Sequence, residues 1–384
     1  MEGAVDLHDL NEFFRLSAIL NLQLSAREVG KQNIVSIILG GRRMPPREQD
    51  ILIRVLQYLD NAYGETRRRL GPFAVLHPIR ATALLARSTP QPGMLDLLTE
   101  MLHDKLEDLT AASMGDEHFN RMEGEFRALL HDIDPKDEWY LMERLDWLTR
   151  RPDQTYLQYI GNLLDRSHQT PALIRVKLAD RLDNTLDMRI DIEDPIAGVD
   201  FFATLFQVMF VNNFPGYRSD LPHPPSSPLN GAQRLYQLFK NAVVLSLMRQ
   251  KEVGKGDPAA MAMFNALAVA SMKEAQRTIL HIFAFHETDV RKQRELIMDA
   301  MGYVQAGGVD HVTPPGQGRM LDGLFLSRFE DTSPEDRKHR LDALYRDKPL
   351  MVEAAIAFIV IFLSFLSDEK YFVRGVGAQG IVPD

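Results

Sequence analysis

Apolar residues recur at intervals of three and four along most of this chain, and this spacing limits its fold more than any other feature. Two clear examples contain Leu52, Val55, Leu56 and Leu59, and Leu235, Leu238, Val243, Val244 and Leu247. Such spacing gathers apolar side chains on one face of an α-helix. Long alternating runs rich in β-branched residues are missing from the sequence, although residues 34–39 could form one short strand. The sequence therefore predicts an all-α fold.

Prolines mark a boundary in this helical pattern. Four prolines fall within residues 222–228, and such a segment cannot continue a helix. The length of 384 residues fits two or three domains. We therefore predict four segments: an N-terminal helical segment at 1–49, a helical bundle domain at 50–195, a linker at 196–229 and a second helical domain at 230–384. The sequence indicates no role for the second helical domain.

Composition and charge limit the classes of function. The chain is 45% hydrophobic and 25% charged, as ordinary globular proteins are. Its 44 basic and 53 acidic residues give a net charge of −9. This balance argues against a nucleic-acid-binding surface and leaves room for a local pocket that binds a small anion. Because cysteine is absent, any metal must be bound by His, Asp and Glu.

Neither a signal peptide nor a membrane span is expected. The first residues show no basic segment followed by an apolar stretch, so we expect no secretory signal and a cytoplasmic location. The strongest apolar run, at 354–366, has 13 residues, fewer than the roughly 20 that span a bilayer. This run predicts a buried helix. The sequence leaves open whether it forms the centre of the second helical domain or a contact in a homo-oligomer.

One imidazole and three carboxylates cluster near residue 105. On a single helix, His103, Asp104, Glu107 and Asp108 share a sector that lies opposite a row of leucines. The three like charges repel one another there, and a bound cation would relieve this cost. The alternative interpretation is a solvated acidic face.

A second helix, predicted at 174–189, repeats this design. One of its stripes contains Asp180, Asp183, Asn184 and Asp187. Leucines occupy the opposite stripe, as in an amphipathic helix. A solvated surface is again the alternative, because basic residues flank the acidic stripe and could form ordinary ion pairs.

A further candidate ligand is His77, which lies at the start of another predicted helix. The alternative interpretation is that this histidine has only a structural role.

Taken in chain order, His77, His103-Asp104 and Asp180 resemble the metal-binding motif of the HD phosphohydrolase superfamily. Within it, the chain is most similar to the hydrolase domain of RelA/SpoT proteins, which removes the 3′-pyrophosphate from the alarmones ppGpp and pppGpp. The likeness spans about residues 50–195 and is carried by the segments 71–80, 103–108, 145–150 and 176–184.

The resemblance implies a role for each matching residue. The metal, which is manganese in this family, would be bound by His77, His103, Asp104 and Asp180. The acids that orient and deprotonate the attacking water would be Glu107 and Asp108. The nucleotide would contact Arg68, Lys177 and Asn184. Imidazole and carboxylate donors without thiolates are chemically suited to Mn²⁺.

Two departures from the family pattern bear on the substrate. Asp183 stands where the family usually has His, and Leu186-Asp187 stands where it has Arg-Thr. We expect the added negative charge to disfavour a substrate with two pyrophosphate groups. The synthetase domain of long RelA/SpoT proteins is not recognisable after residue 195, so alarmone synthesis is not predicted.

The leading hypothesis is thus a Mn²⁺-dependent (p)ppGpp 3′-pyrophosphohydrolase that acts on a small nucleotide and binds neither nucleic acid nor membrane. One alternative is an HD-type hydrolase of another phosphorylated nucleotide, which the added acids motivate. The other is a nucleotide-sensing or scaffold protein whose C-terminal helices bind a partner.

Overall fold

The computed structural model describes residues 6–26, 30–67, 72–151, 154, 156–187, 195–196, 231–305, 333, 336, 347–367, 376–377 and 380–381. The chain divides into two units. The first comprises Met1–Asp187 and Lys251–Ala270, and the second comprises Met188–Gln250 and Ser271–Asp384. The predicted linker at 196–229 lies outside the described residues except for its first position.

Helices make up most of the described part of the first unit, which confirms the predicted all-α fold. In chain order they are α1 (Leu10–Ser25), α2 (Lys31–Leu39), α3 (Pro46–Tyr63), α4 (Leu76–Arg87), α5 (Met94–Leu102), α6 (Lys105–Asp108), α7 (Ala111–Met114), α8 (Asp116–Leu130), α9 (Pro135–Leu148), α10 (Tyr156–Ser167) and α11 (Ala172–Leu186).

The second unit is also helical where it is described. Its helices are α12 (Gly231–Gln250), the later part of α13 (Pro258–His286), α14 (Val290–Gln305) and α15 (Lys348–Ser367). Helix α13 is continuous, and its residues up to Ala270 belong to the first unit. Two short strands, β1 (Val376–Gly377) and β2 (Gly380–Ile381), pair in antiparallel orientation.

Residues 34–39 belong to α2, so the alternative of a short strand is wrong. The buried residues of α2 are Ile34, Val35, Ile38 and Leu39. This spacing matches one face of a helix, whereas one face of a strand would contain alternate residues. The helix ends at Gly40, whose φ of 58° is the left-handed conformation that glycine adopts without strain.

Helix α4 lies in the core of the first unit. It packs against α1, α2, α5 and α11, and every residue from Leu76 to Ala86 is buried. Three alanines on this helix allow its neighbours to approach closely, while leucines fill the remaining space. The same helix carries His77 and Arg80 into the interior, where their polar groups require partners.

Helix α15 contains the apolar run 354–366 and packs against α12 and α14 of its own unit. Residues 354–360 are buried, which confirms the prediction of a buried helix. Among the helices in the described part of the chain, none has both the length and the apolar character that a bilayer crossing requires. A homo-oligomer formed through these helices stays a prediction.

Candidate metal centre

Three helices of the first unit bring two histidines and two aspartates together. His77 lies in the first turn of α4, His103 and Asp104 follow the end of α5, and Asp180 lies within α11. Helix α11 packs against both α4 and α5. This packing is why side chains from distant parts of the sequence meet.

The four predicted ligands face one another across a short gap. His77, His103 and Asp180 each offer a ligand atom, and these atoms lie within 4.8 Å of one another. The Nε2 atom of His77 lies 3.4 Å from Asp104 Oδ2 and 3.5 Å from Asp180 Oδ1. The Nε2 atom of His103 lies 3.1 Å from Asp104 Oδ1 and 3.9 Å from Asp180 Oδ1. The structure thus gathers all four side chains into one cluster.

The prediction of one continuous helix through residues 103–108 is wrong, because the chain turns at His103 and Asp104. Helix α5 ends directly before this turn and α6 begins directly after it. His103 Nδ1 bonds to the Glu100 carbonyl at 2.7 Å, an acceptor that a continuing helix would offer to the backbone N–H of residue 104. The turn keeps the ligands buried or half-buried and leaves Glu107 and Asp108 exposed on α6.

Both imidazole rings direct Nε2 towards the cluster. His103 uses Nδ1 for the Glu100 carbonyl, and His77 Nδ1 lies 2.6 Å from Asp183 Oδ2. His103 Nε2 is buried and faces the carboxylates of Asp104 and Asp180. Two imidazoles and two carboxylates suit Mn²⁺ and do not exclude Fe, Co, Ni or Zn. The residues therefore fit a divalent cation.

The charges of the cluster act strongly on one another. Burial alone would lower the pKa of His103, but the neighbouring carboxylates, Asp104 first among them, raise it to about 9. Burial alone would raise the pKa of Asp104 and Asp180, but His103 and Lys177 respectively hold both values well below the ordinary range. The carboxylates therefore favour a proton on His103 at neutral pH, and a metal bound there would have to displace it.

A buried acid that sequence reasoning missed lies beside this cluster. Glu100 is fully buried on α5, and its carboxylate oxygens have no hydrogen-bond partner within the described residues. Its Oε1 lies 3.7 Å from His103 Nδ1. Burial raises the pKa of Glu100 to about 8. The signal in the sequence is a single acid within the apolar run from Leu97 to Leu102.

Replacement of Glu100 by glutamine is expected to stabilise the metal-free protein more at pH 8 than at pH 5. The unfolded chain releases the Glu100 proton near the ordinary pKa of 4.5, whereas the folded chain keeps it up to about pH 8. The free energy of unfolding of the wild type therefore falls across this window, and glutamine does not titrate. We expect the advantage of the variant to grow by about 1–3 kcal/mol between the two pH values.

Urea unfolding of chelator-treated protein at both pH values measures this difference. Glu117→Gln, on the exposed surface of α8, is the matched control and is expected to follow the wild type. An advantage of Glu100→Gln that is equal at pH 5 and pH 8 would contradict the assignment of a buried, protonated acid.

Glu107 and Asp108 lie at the edge of the centre, and each carboxylate is anchored. Glu107 Oε1 accepts a hydrogen bond from the backbone N–H of Arg150 at 2.6 Å. Asp108 Oδ2 accepts one from the Tyr63 hydroxyl at 3.2 Å. Partial burial of its carboxyl group and the charge of Asp104 raise the pKa of Asp108 to about 6, a value suited to proton transfer near neutral pH. The catalytic roles of both acids stay predictions.

Two of the predicted nucleotide contacts bond to Asp180 in the structure. Lys177 Nζ donates to Asp180 Oδ2 at 2.8 Å. Asn184 Nδ2 donates to the Asp180 carbonyl at 3.0 Å and also to Asp180 Oδ1. Both side chains thus orient a predicted metal ligand, and their contact with a nucleotide stays a prediction. The third residue, Arg68, lies outside the described residues.

The structure pairs the two added acids, Asp183 and Asp187, with one buried cation, and their effect on the choice of substrate stays a prediction. Both side chains are buried, and both bond to the guanidinium group of Arg80, which has no exposed surface. The sequence signal for this arrangement is an arginine between the apolar residues Ile79 and Ala81 of α4. The partners of that arginine lie on α11, so local periodicity could not identify them.

Comparisons of this chain with protein-family models, with curated proteins and with solved structures found no match. The support for a function therefore comes from the residues of the centre and their geometry.

Proposed function

We propose that the first unit contains an HD-type, metal-dependent phosphohydrolase centre and that its leading substrate is (p)ppGpp. The reaction removes the 3′-pyrophosphate and gives GDP or GTP plus pyrophosphate. The observation that supports this proposal is the clustering of His77, His103, Asp104 and Asp180, whose order along the chain matches the HD motif. Their oxygen and nitrogen donors fit a divalent cation such as Mn²⁺.

Each group of the centre has a separate role in the proposed reaction. A divalent cation held by the cluster supplies Lewis acidity towards a phosphoryl oxygen and lowers the pKa of water. Glu107 orients the attacking water from its anchored position on α6, and Asp108 accepts the proton. The water oxygen attacks the phosphorus bonded to O3′, the P–O3′ bond breaks, and O3′ receives the proton.

The Arg80 pairing weakens the electrostatic argument against an alarmone substrate. Asp183 and Asp187 share one buried guanidinium group, which compensates one of their two negative charges. Lys177 adds a half-buried cation next to Asp180. A substrate with two pyrophosphate groups therefore meets less repulsion than the sequence alone suggests.

The direct test is incubation of metal-stripped protein with Mn²⁺ and ppGpp, followed by chromatography of the products. We expect release of GDP and pyrophosphate that requires the metal and is lost in Asp104→Ala. Asp116→Ala removes an exposed acid on α8 and is expected to retain activity, which makes it the matched control.

The other outcomes separate the alternatives. Intact ppGpp together with hydrolysis of a deoxynucleotide, a nucleoside monophosphate or a cyclic nucleotide would correct the substrate and keep the reaction class. Metal binding without turnover of any nucleotide would overturn the hydrolase and favour a sensor. Failure to bind a divalent metal would overturn the proposed centre.

A further inference from the structure

The two nitrogens of the His77 ring face different surroundings. Nε2 is directed at Asp104 and Asp180, at 3.4 and 3.5 Å. Nδ1 is directed away from them and lies 2.6 Å from Asp183 Oδ2. An ionised carboxylate accepts hydrogen bonds and cannot donate them. The contact with Asp183 therefore requires a proton on Nδ1, which leaves the lone pair of a neutral ring on Nε2.

Asp183 is itself fixed by a buried arginine. Arg80 Nε donates to Asp183 Oδ1 at 2.8 Å, and Arg80 Nη2 donates to Oδ2 at 3.0 Å. This is a two-pronged pair in which both groups have no exposed surface. A paired guanidinium and carboxylate hold each other in one plane, so Asp183 presents Oδ2 to His77 in one defined position.

Arg80 is held from two further sides. Its Nη1 donates to Asp187 Oδ1 at 2.9 Å and to Ser17 Oγ at 3.1 Å. Its guanidinium carbon lies 4.9 Å from the ring centre of Phe13. Helices α1, α4 and α11 thus all contribute to the position of one guanidinium group.

We propose that Asp183, held by Arg80, is a positioning residue that fixes the tautomer and the ring plane of His77 so that Nε2 can bind the metal. This inference rests on the proposed function, since it assigns a purpose to a contact behind one predicted ligand. It also assigns a role to Asp183, which stands where the family usually has His. Hydrogen-bond partners behind a ligating histidine commonly change metal affinity by 10–100-fold when removed.

Asp187 provides a control within the same cluster. Like Asp183, it is a buried aspartate of the α11 segment that bonds to Arg80, so its loss also leaves the guanidinium group with one carboxylate fewer. Its hydrogen bond runs to Arg80 Nη1, whereas the Asp183 carboxylate also lies against His77 Nδ1. Asp183→Ala and Asp187→Ala therefore disturb Arg80 alike, and only the first removes the acceptor of His77 Nδ1.

The experiment compares Mn²⁺ affinity by chelator competition in the wild type, Asp183→Ala, Asp187→Ala and Asp183→Asn. We expect Asp183→Ala to weaken binding by about 10–100-fold and Asp187→Ala by less than about threefold. In Asp183→Asn, one of the two acceptor oxygens becomes an NH₂ group, which faces a donor of either Arg80 or His77. This variant is therefore also expected to weaken Mn²⁺ binding, and by more than Asp187→Ala does.

A spectroscopic measurement tests the tautomer directly. In the Zn²⁺-loaded, ¹⁵N-labelled wild type, the His77 signals are expected to show metal on Nε2 and a slowly exchanging proton on Nδ1. Asp183→Ala is expected to lose the protection of that proton, and Asp187→Ala to keep it. Metal on Nδ1 of His77 in the wild type would overturn the proposal.

Some outcomes of the affinity measurements would contradict the positioning role of Asp183. Equal weakening by Asp183→Ala and Asp187→Ala would show that the cluster acts only through stability and would overturn the positioning role. Wild-type affinity in Asp183→Ala would overturn it as well. A wild type that binds no Mn²⁺ or Zn²⁺ would overturn the proposed function, and the positioning role with it, so the two failures are distinguishable.

Discussion

Asp104→Ala is expected to abolish both metal binding and hydrolysis, whereas Glu107→Ala is expected to keep the metal and to lower kcat by about 10²–10⁴-fold. The geometry separates the two acids. Asp104 approaches the Nε2 atoms of both histidines within 3.4 Å, so its loss removes one of the two carboxylates of the centre. Glu107 lies on the exposed side of α6, and its carboxylate is anchored by the backbone of Arg150.

Two measurements on each variant are required. Metal content after dialysis against Mn²⁺ reports the centre, and steady-state hydrolysis of the nucleotide identified in the assay above reports the chemistry. Asp116→Ala controls for the loss of an acid outside the centre. Equal activity in Asp104→Ala and Glu107→Ala, or full metal content in Asp104→Ala, would reject the assigned roles.

Arg80→Met is expected to lower the free energy of unfolding by about 3–5 kcal/mol, because it leaves two buried carboxylates without their cation. Asp183 and Asp187 each bond to this guanidinium group, and both are buried. Methionine fills a similar volume, so most of the loss comes from the unpaired charges.

The pH dependence identifies the cause of that loss. In the wild type, burial alone would raise the pKa of Asp183, but Arg80 lowers it to about 2, below the ordinary value of 3.8. The stabilisation is therefore present above pH 4 and is lost only as the pH falls towards 2. Without Arg80 the buried carboxyl groups keep their protons to a higher pH, so the deficit of the variant is expected to shrink from pH 7 to pH 5.

Urea unfolding at the two pH values measures the effect. Arg54→Met is the matched control, because Arg54 also pairs with an aspartate, Asp132, but on the surface. Exposed pairs contribute little, so this variant is expected to lose less than about 1 kcal/mol. A loss in Arg80→Met that is no greater than the loss in Arg54→Met would contradict the assignment of a buried ion cluster.

The spacing of apolar residues predicted the helices because it is a local pattern, and the resemblance to the HD motif pointed to the four side chains that the structure brings together. Apolar spacing of three and four identifies a helix without knowledge of its neighbours. It does not reveal a tight turn that interrupts the spacing for two residues, and the turn at His103 and Asp104 was therefore missed. At this turn the Glu100 carbonyl bonds to the His103 side chain in place of a backbone N–H group. Apolar spacing carries no information about such a side-chain bond.

Burial of polar residues was harder to predict from one sequence. The acidic stripe of α11 has the pattern of a solvated face, yet Asp180, Asp183 and Arg181 are buried along with the leucines opposite. The reason is that α4, α5 and α10 all pack against this helix. A periodic pattern separates two faces of a helix, but the neighbours decide how many of those faces are covered. The pairing of Arg80 with Asp183 could not be predicted from local patterns either, because the two residues are separated by 103 positions.

That separation also sets the order in which a growing polypeptide can complete its N-terminal half. When α4 leaves the ribosome, Arg80 has no carboxylate partner, because α11 has not yet been synthesised. An unpaired guanidinium group is costly to remove from water, so burial of Arg80 between α1 and α4 is disfavoured until residues 183 and 187 have been synthesised. The arginine thereby favours late burial of its own helix, and the four clustered side chains, which α4, α5 and α11 position, come together no earlier than that.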